Sequence, residues 1–245
     1  MSFIPDHTHV CSDATNIFFF NFKIQEPVTA FTDLLITIVC WFIFYKLKKE
    51  AEKNNITILF RYFFLMMGFS TLLGGIFGHA LCYRLGIIFK LPGWITSMFA
   101  IMLCERSAIM HTRKLLKVRI GDFLIILNSI ELICMISISC ITLNFFFVEL
   151  HAFYGLMLVT GAFELYNYRK TKAVSSKWIL YSVCISFIAA VINIARLAPA
   201  KWFNHVDTAH CIMCISAFVM YRGVKKIKLA EPLPDKDDAY AADSR

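Results

Sequence analysis

Five residues of this 245-residue chain can bind metals or move protons and stand near the ends of apolar segments: Asp33, His79, His205, Asp207 and His210. Neutral imidazole and carboxylate are common nitrogen and oxygen ligands for zinc, and a catalytic zinc keeps one coordination position open. Such a metal polarises a carbonyl and lowers the pKa of bound water toward neutrality, which is hydrolytic chemistry. In Asn204-His205-Val206-Asp207-Thr208-Ala209-His210, Asp207 and His210 are three apart and share a helical face. His205 and His210 are five apart and share a face poorly. His205 can join them from a frayed helix start, which Pro199 and Asn204 favour. Each residue also has a plainer reading. An interfacial histidine bonds to headgroups or a loop carbonyl, and Asp207 can cap a helix N-terminus, where the dipole favours it.

A second set lies deeper in apolar sequence: Arg61, Glu105, Arg106, Glu131, Glu164 and Asn167. Ionisable groups within membrane spans are costly and are functional candidates by default. Arg106 and Glu131 are expected to pair across the third and fourth helices, either as a structural ion pair or within a relay or conduction path. Two further motifs carry less. Asp6-His7-Thr8-His9-Val10-Cys11 has metal-ligand residue types but sits on a short terminus. Cys211-Ile212-Met213-Cys214 has C-x-x-C spacing inside an apolar run, with no second pair, and reads as packing.

These side chains must be positioned by membrane-spanning elements. The chain is 58% hydrophobic and 17% charged, with a mean hydropathy of +0.64. Soluble domains sit nearer half apolar and a quarter charged. Backbone polar groups in lipid must be satisfied internally, so apolar runs of about 20 residues read as helices. Seven such runs are expected, at 27–46, 56–80, 93–112, 120–142, 145–167, 178–197 and 203–222. The fold class is therefore all-α, a seven-transmembrane-helix bundle.

The basic residues orient it. Lys46, Lys48, Lys49 and Lys53 lie in the first loop; Arg113, Lys114, Lys117 and Arg119 in the third. Arg169, Lys170, Lys172 and Lys177 lie in the fifth; Arg222, Lys225, Lys226 and Lys228 follow the seventh helix. One side thus collects 16 basic residues against five on the other: Lys23, Arg84, Lys90, Arg196 and Lys201. By the positive-inside rule the N-terminus is outside and the C-terminus cytoplasmic. This division reads the net charge of +8 as topology and disfavours a nucleic-acid partner. It also places Asp33, His79, His205, Asp207 and His210 toward the outer face, with Glu26 at the mouth, Ser97 near the start of the third helix, and Glu149 and His151 opening the fifth.

The organisation expected is an extracytoplasmic segment 1–26, a seven-helix domain 27–222 and a cytoplasmic tail 223–245, basic and then polar and disordered. Residues 1–25 lack a basic stretch followed by an apolar core, so the first span serves as its own insertion signal. Seven of nine cysteines fall in apolar segments and read as small hydrophobes, whereas Cys11 and Cys82 lie where a disulfide is plausible. The localisation is multi-pass integral membrane, in a plasma, inner or endomembrane. A retinal protein is disfavoured, because Phe203–Tyr221 contains no lysine for a Schiff base.

Seven spans, a histidine ending the second in Gly74-Gly75-Ile76-Phe77-Gly78-His79, and the histidine pair opening the seventh together resemble the superfamily of alkaline ceramidases and progestin and adiponectin receptors. The resemblance implies a seven-helix membrane hydrolase, or hydrolase-like receptor, whose zinc is held by one histidine of helix two and two of helix seven. Carried onto this chain, the ligands would be His79, His205 and His210, with Asp33 or Asp207 orienting a ligand or acting as base. The chain departs from the family at Gly75, where a serine is common, in its H-x-x-x-x-H spacing, and in lacking an acid in the outer half of helix three. The expected function is zinc-dependent hydrolysis of a lipid amide or ester, in lipid metabolism, with membrane lipid as partner. The alternatives are an ion or proton channel or transporter, and a non-catalytic sensor or scaffold.

Overall fold

The computed structural model describes residues 15–228. A short antiparallel hairpin, β1 (Asn16–Phe19) and β2 (Phe22–Gln25), leads into the helices. Seven long rods follow among the described residues: α1 (Pro27–Glu50), α2 (Asn55–Ala80), α3 (Leu91–Thr112), α4 (Val118–Thr142), α5 (Phe146–Thr171), α6 (Val174–Ile194) and α7 (His205–Val224). Cys82–Leu85 and Ile87–Lys90 form short helical turns between α2 and α3.

Local chemistry sets the helix ends. Pro27 opens α1, where its missing N–H costs nothing. Asn54 caps α2 in a capping box with Thr57, and Asn204 caps α7 in a capping box with Asp207. Leu143 and Lys172 take left-handed conformations that end α4 and α5. Several rods outrun the apolar runs that announce them: α1 continues through Lys48 and Lys49 to Glu50, and α5 through Arg169 and Lys170 to Thr171. Hydropathy detects the apolar layer, whereas the backbone hydrogen bonds of a helix continue past it.

The rods alternate in direction. The start of α1 meets the end of α2 and the start of α7, while Glu50 at the far end of α1 bonds to Tyr221 near the end of α7. Around the bundle α1 packs on α2 and α7, and α6 on α7 and α5. Helix α3 is central and touches α2, α4 and α5. Its continuous buried run Ala100–Glu105, followed by Ser107, Ala108 and Ile109, suits a helix enclosed on all sides. Helix α4 buries only a stripe of Gly121, Asn128, Leu132 and Ser139 and turns Phe123, Ile126, Ile130, Ile133 and Ile141 outward. An outer surface of isoleucine and phenylalanine is stable facing lipid rather than water.

Six of the rods, α1 through α6, are long and apolar enough to cross a membrane, so the bundle is that of a helical membrane protein. In α7 the polar residues His205, Asp207 and His210 dilute the apolar stretch.

The hairpin departs from the all-helical expectation. Phe20 and Asn21, both at positive φ (45° and 55°), form its two-residue turn. Such turns favour Asn and Gly, and the Phe is an unusual occupant that gives no turn signal in the sequence. Gln25 is buried and its side-chain oxygen accepts from the Tyr83 N–H at 3.0 Å, tying the hairpin to the α2–α3 connection. Cys82 in that connection is disulfide-bonded, and the seven other described cysteines, Cys211 and Cys214 among them, are free. Cys11, the Asp6–Cys11 motif and the polar tail from residue 229 lie outside the described residues.

Small residues allow the closest helix approaches, as is common where helices meet in lipid. A methyl group on Gly223 of α7 would lie 2.8 Å from Ile179 Cγ1 and 2.9 Å from the Ser175 carbonyl oxygen of α6. The carbonyl belongs to the helix backbone and cannot swing aside. Gly223→Ala should therefore destabilise the protein by about 1–3 kcal/mol, read as a lowered midpoint of thermal unfolding in detergent.

Candidate functional site

At the end of the bundle where α1 begins, three helices bring ionisable side chains together. Asp33 lies in the second turn of α1 and is 5% exposed. His79 Nε2 stands 3.7 Å from its Oδ2, and His210 Nε2 stands 3.7 Å from its Oδ1. Both separations exceed hydrogen-bond length. Asp33 Oδ2 is buried with no hydrogen-bond partner.

The opposite nitrogen of each ring is held. His79 Nδ1 donates to Glu26 Oε2 at 2.7 Å. His210 Nδ1 lies 2.9 Å from Thr32 Oγ1, whose single hydrogen can go to the Thr29 carbonyl at 3.0 Å. With Nδ1 as donor in each neutral ring, both Nε2 lone pairs turn toward the Asp33 carboxylate. Metal-binding histidines are commonly oriented in this way by groups behind them.

The local backbone explains the placement. The last turns of α2, Gly74–Ala80, are a π-helix, a form that is frequent at functional sites. A Cβ on Gly75 would sit 3.0 Å from Asp33 Cβ and 3.1 Å from the Ala30 carbonyl oxygen, so glycine lets α2 close on α1 at the acid. Glu26 has φ 45°, a costly left-handed conformation for a non-glycine residue. It turns the chain from the hairpin into α1 and sets the carboxylate against His79. Burial pushes the Glu26 carboxyl up, but the His79 hydrogen bond, the charge that ring carries when protonated and the Lys90 charge outweigh it and hold it below its ordinary value.

Asp207 is fully buried beside this group. Its Oδ2 accepts the Asn204 N–H at 2.7 Å, and its Oδ1 lies 3.4 Å from Thr32 Oγ1. It thus secures the start of α7 and reaches His210 through Thr32. His205 is the first residue of α7 and half-buried, and its side chain is in none of the hydrogen bonds or ion pairs found among the described residues. The structure brings Asp33, His79 and His210 together with Glu26, Thr32 and Asp207 around them, and sets His205 apart. Thr32 carries no sequence signal of its own, because its role depends on α7 packing against α1.

The deeper residues sort into separate groups. Arg106 does not pair with Glu131. It donates to Asn128 Oδ1 at 3.2 Å, to Ser129 Oγ and to the Ile125 carbonyl at 3.3 Å, all on α4 within the two turns before Glu131. Glu131 instead meets His151, with Nδ1 2.6 Å from Oε1. Glu105, Glu131 and His151 form the group of three potential ligands, among the described residues, whose donor atoms all lie within 4.8 Å of one another. Glu164 is bound by His111 at 2.9 Å, and Asn167 donates to Ser176 at 2.9 Å. Arg61 lies 5.4 Å from the Phe44 ring and 5.3 Å from the Tyr62 ring, a cation–π arrangement.

No curated protein and no solved structure matches the chain. One family does, described as "Family of unknown function (DUF6962)", over residues 28–229. The match runs from the second residue of α1 to just beyond α7 and takes in every residue of the site except Glu26. The chain belongs to the DUF6962 family, a family of unknown function.

Proposed function

We propose that this protein is a ceramidase-like, zinc-dependent membrane hydrolase of a lipid amide or ester, with its site near the outer face. Its seven rods all span, with the N-terminus outside and the C-terminus cytoplasmic, in accord with the basic residues gathered at the end opposite the site. The observation that carries the reading is the Asp33 carboxylate set between two imidazole Nε2 atoms at 3.7 Å, with one oxygen unpartnered. A nitrogen, nitrogen and oxygen set with orienting groups behind it fits zinc. His79, His210 and Asp33 would hold the metal, whereas the resemblance would use His205 in place of the acid.

Zinc would supply Lewis acidity toward the substrate carbonyl and an activated water. The chain does the rest. Glu26 and Thr32 fix the two rings. Asp207 anchors the first turn of α7 through the Asn204 N–H. Asp33 would help hold the metal, and its unpartnered oxygen would serve as acceptor for a proton from water. A cavity of about 50 Å³ lies inward of the site, lined by Ile36 and Cys40 of α1, Phe64 and Met67 of α2, and Met213 and Ser216 of α7. Ile36 and Met213 follow Asp33 and His210 by three residues, so the cavity continues the same helix faces and suits the start of an acyl chain.

A second reading, proton or ion passage, draws on Glu105, Glu131, His151, His111 and Glu164, which are buried or half-buried along α3, α4 and α5. A non-catalytic sensor would keep the fold and partner binding after loss of all three histidines.

Elemental analysis of the purified full-length protein tests the metal. Zinc is expected to co-purify and to be lost in His79→Ala and His210→Ala. Glu26→Gln leaves the ligands intact and should weaken zinc binding about 10–100-fold, measured by competition with a chromogenic chelator. Protein in lipid vesicles should release fatty acid from a long-chain amide or ester, and Asp33→Asn should abolish release. Metal-free protein that is unchanged by His79→Ala would sink the proposal.

A further inference from the structure

We propose a second, buried divalent-cation site formed by Glu105 of α3, Glu131 of α4 and His151 of α5. Its ligand would be a transition-metal ion such as Mn(II), Fe(II) or Zn(II). The site shares no helix with Asp33, His79 and His210 and does not depend on the function proposed above.

His151 is fully buried, and its Nε2 lies 3.0 Å from the Met98 carbonyl oxygen. A carbonyl only accepts, so Nε2 carries the hydrogen, and Nδ1 meets Glu131 Oε1 at 2.6 Å, where a cation would take the place of the bridging proton. A backbone carbonyl behind one nitrogen, with the other left for a ligand, is the usual support of a metal-bound histidine. The carboxylates show the same preparation. Asn128 Nδ2 holds Glu105 Oε2, while Glu105 Oε1 and Glu131 Oε2 are buried without a hydrogen-bond partner. Glu105 is 1% exposed, so its free oxygen has no recourse to solvent.

Two carboxylates in an apolar layer are costly unless a cation or a proton neutralises them, and a divalent cation would serve both. Arg106, the basic residue next to Glu105, gives its hydrogen bonds to Asn128, Ser129 and Ile125 instead. The backbone is shaped to the site as well. Gly155 lies in the π-helical segment Tyr154–Thr160 of α5, and a Cβ there would fall 2.2 Å from Glu105 Oε1 and 2.3 Å from Ile101 Cγ2. Any larger residue would displace the carboxylate. A cavity of about 60 Å³ adjoins the two carboxylates, lined in part by Glu105, Asn128, Glu131 and Tyr154. It has room and polar partners for waters completing a coordination shell. One imidazole with two carboxylates is a mixed set that suits manganese, iron or zinc better than copper(I) or another soft ion.

The test uses full-length protein in detergent, stripped with chelator and titrated with Mn(II), with free Mn(II) followed by its paramagnetic resonance signal. The background is the double variant His79→Ala, His210→Ala, so the first site is absent. This variant is expected to bind one Mn(II) per chain. Adding Glu105→Gln should weaken binding at least about tenfold, and Gly155→Ala should do so with every ligand still present. Glu149→Gln, an acid near the start of α5 outside the cluster, should leave binding unchanged, and each variant's elution profile and thermal transition verify its fold. Three results would each overturn the site: no retention of Mn(II), Fe(II) or Zn(II) by the double variant, equal binding after Glu105→Gln and His151→Gln, or equal weakening by Glu149→Gln. The first would leave the 2.6 Å Glu131–His151 contact as a proton shared between two side chains. Failure of the outer zinc reads differently: wild type and double variant would then carry the same metal.

Discussion

A carboxylate or imidazole enclosed among apolar helices must find a partner there, because neither water nor lipid supplies one. Most polar side chains of this bundle obey that constraint through pairs that cross helices. Glu164 takes His111, Glu131 takes His151, Asn167 takes Ser176, and Arg106 takes the polar side of α4. Serine and threonine hydroxyls within the helices mostly return to a backbone carbonyl of their own helix, as Ser107 does to Leu103 and Thr112 to Ala108. The helices are thereby held in register by polar contacts as well as by packing. Among the described residues three buried carboxylate oxygens depart from this constraint, Asp33 Oδ2, Glu105 Oε1 and Glu131 Oε2, as do Asn54 Nδ2 and Arg61 Nε.

Both exceptional places share a construction. Each lies beside a π-helical segment, Gly74–Ala80 at Asp33 and Tyr154–Thr160 at Glu105. In each segment a glycine faces the acid, Gly75 and Gly155, at a distance that leaves no space for a Cβ without displacement. Insertion of a π turn shifts the side chains that follow it around the helix axis. A regular helix would keep its i to i−4 bonds but would present the next turn differently. Glycine and the wider turn together let one helix backbone rest against an acid carried by another.

Much of this architecture was legible in the chain. Apolar length located the rods, because helices in lipid are bounded by the thickness of the layer. The residues Asp33, His79 and His210 were legible as candidates because charge is rare in such segments and each occurrence stands out. The glycines of the second rod could be read as aids to close packing, but the contact of Gly75 with Asp33 could not. The Arg106–Glu131 pair failed because complementary charge on neighbouring helices does not fix rotation about each axis. The short hairpin escaped notice because its turn is built on Phe20, whose left-handed conformation is unusual for that residue type.

The sequence by itself determined a helical membrane protein, the placing of its rods and the kinds of chemistry its buried side chains can perform. Those properties follow from composition and spacing along one dimension. Only the tertiary structure decided which acids and histidines meet: Asp33 with His79 and His210, Glu105 with Glu131 and His151, and His205 with neither group. Such meetings depend on helix rotation, close approach at glycine and the phase shift of a π turn. Each of these moves a side chain by several ångströms while leaving the hydropathy pattern unaltered.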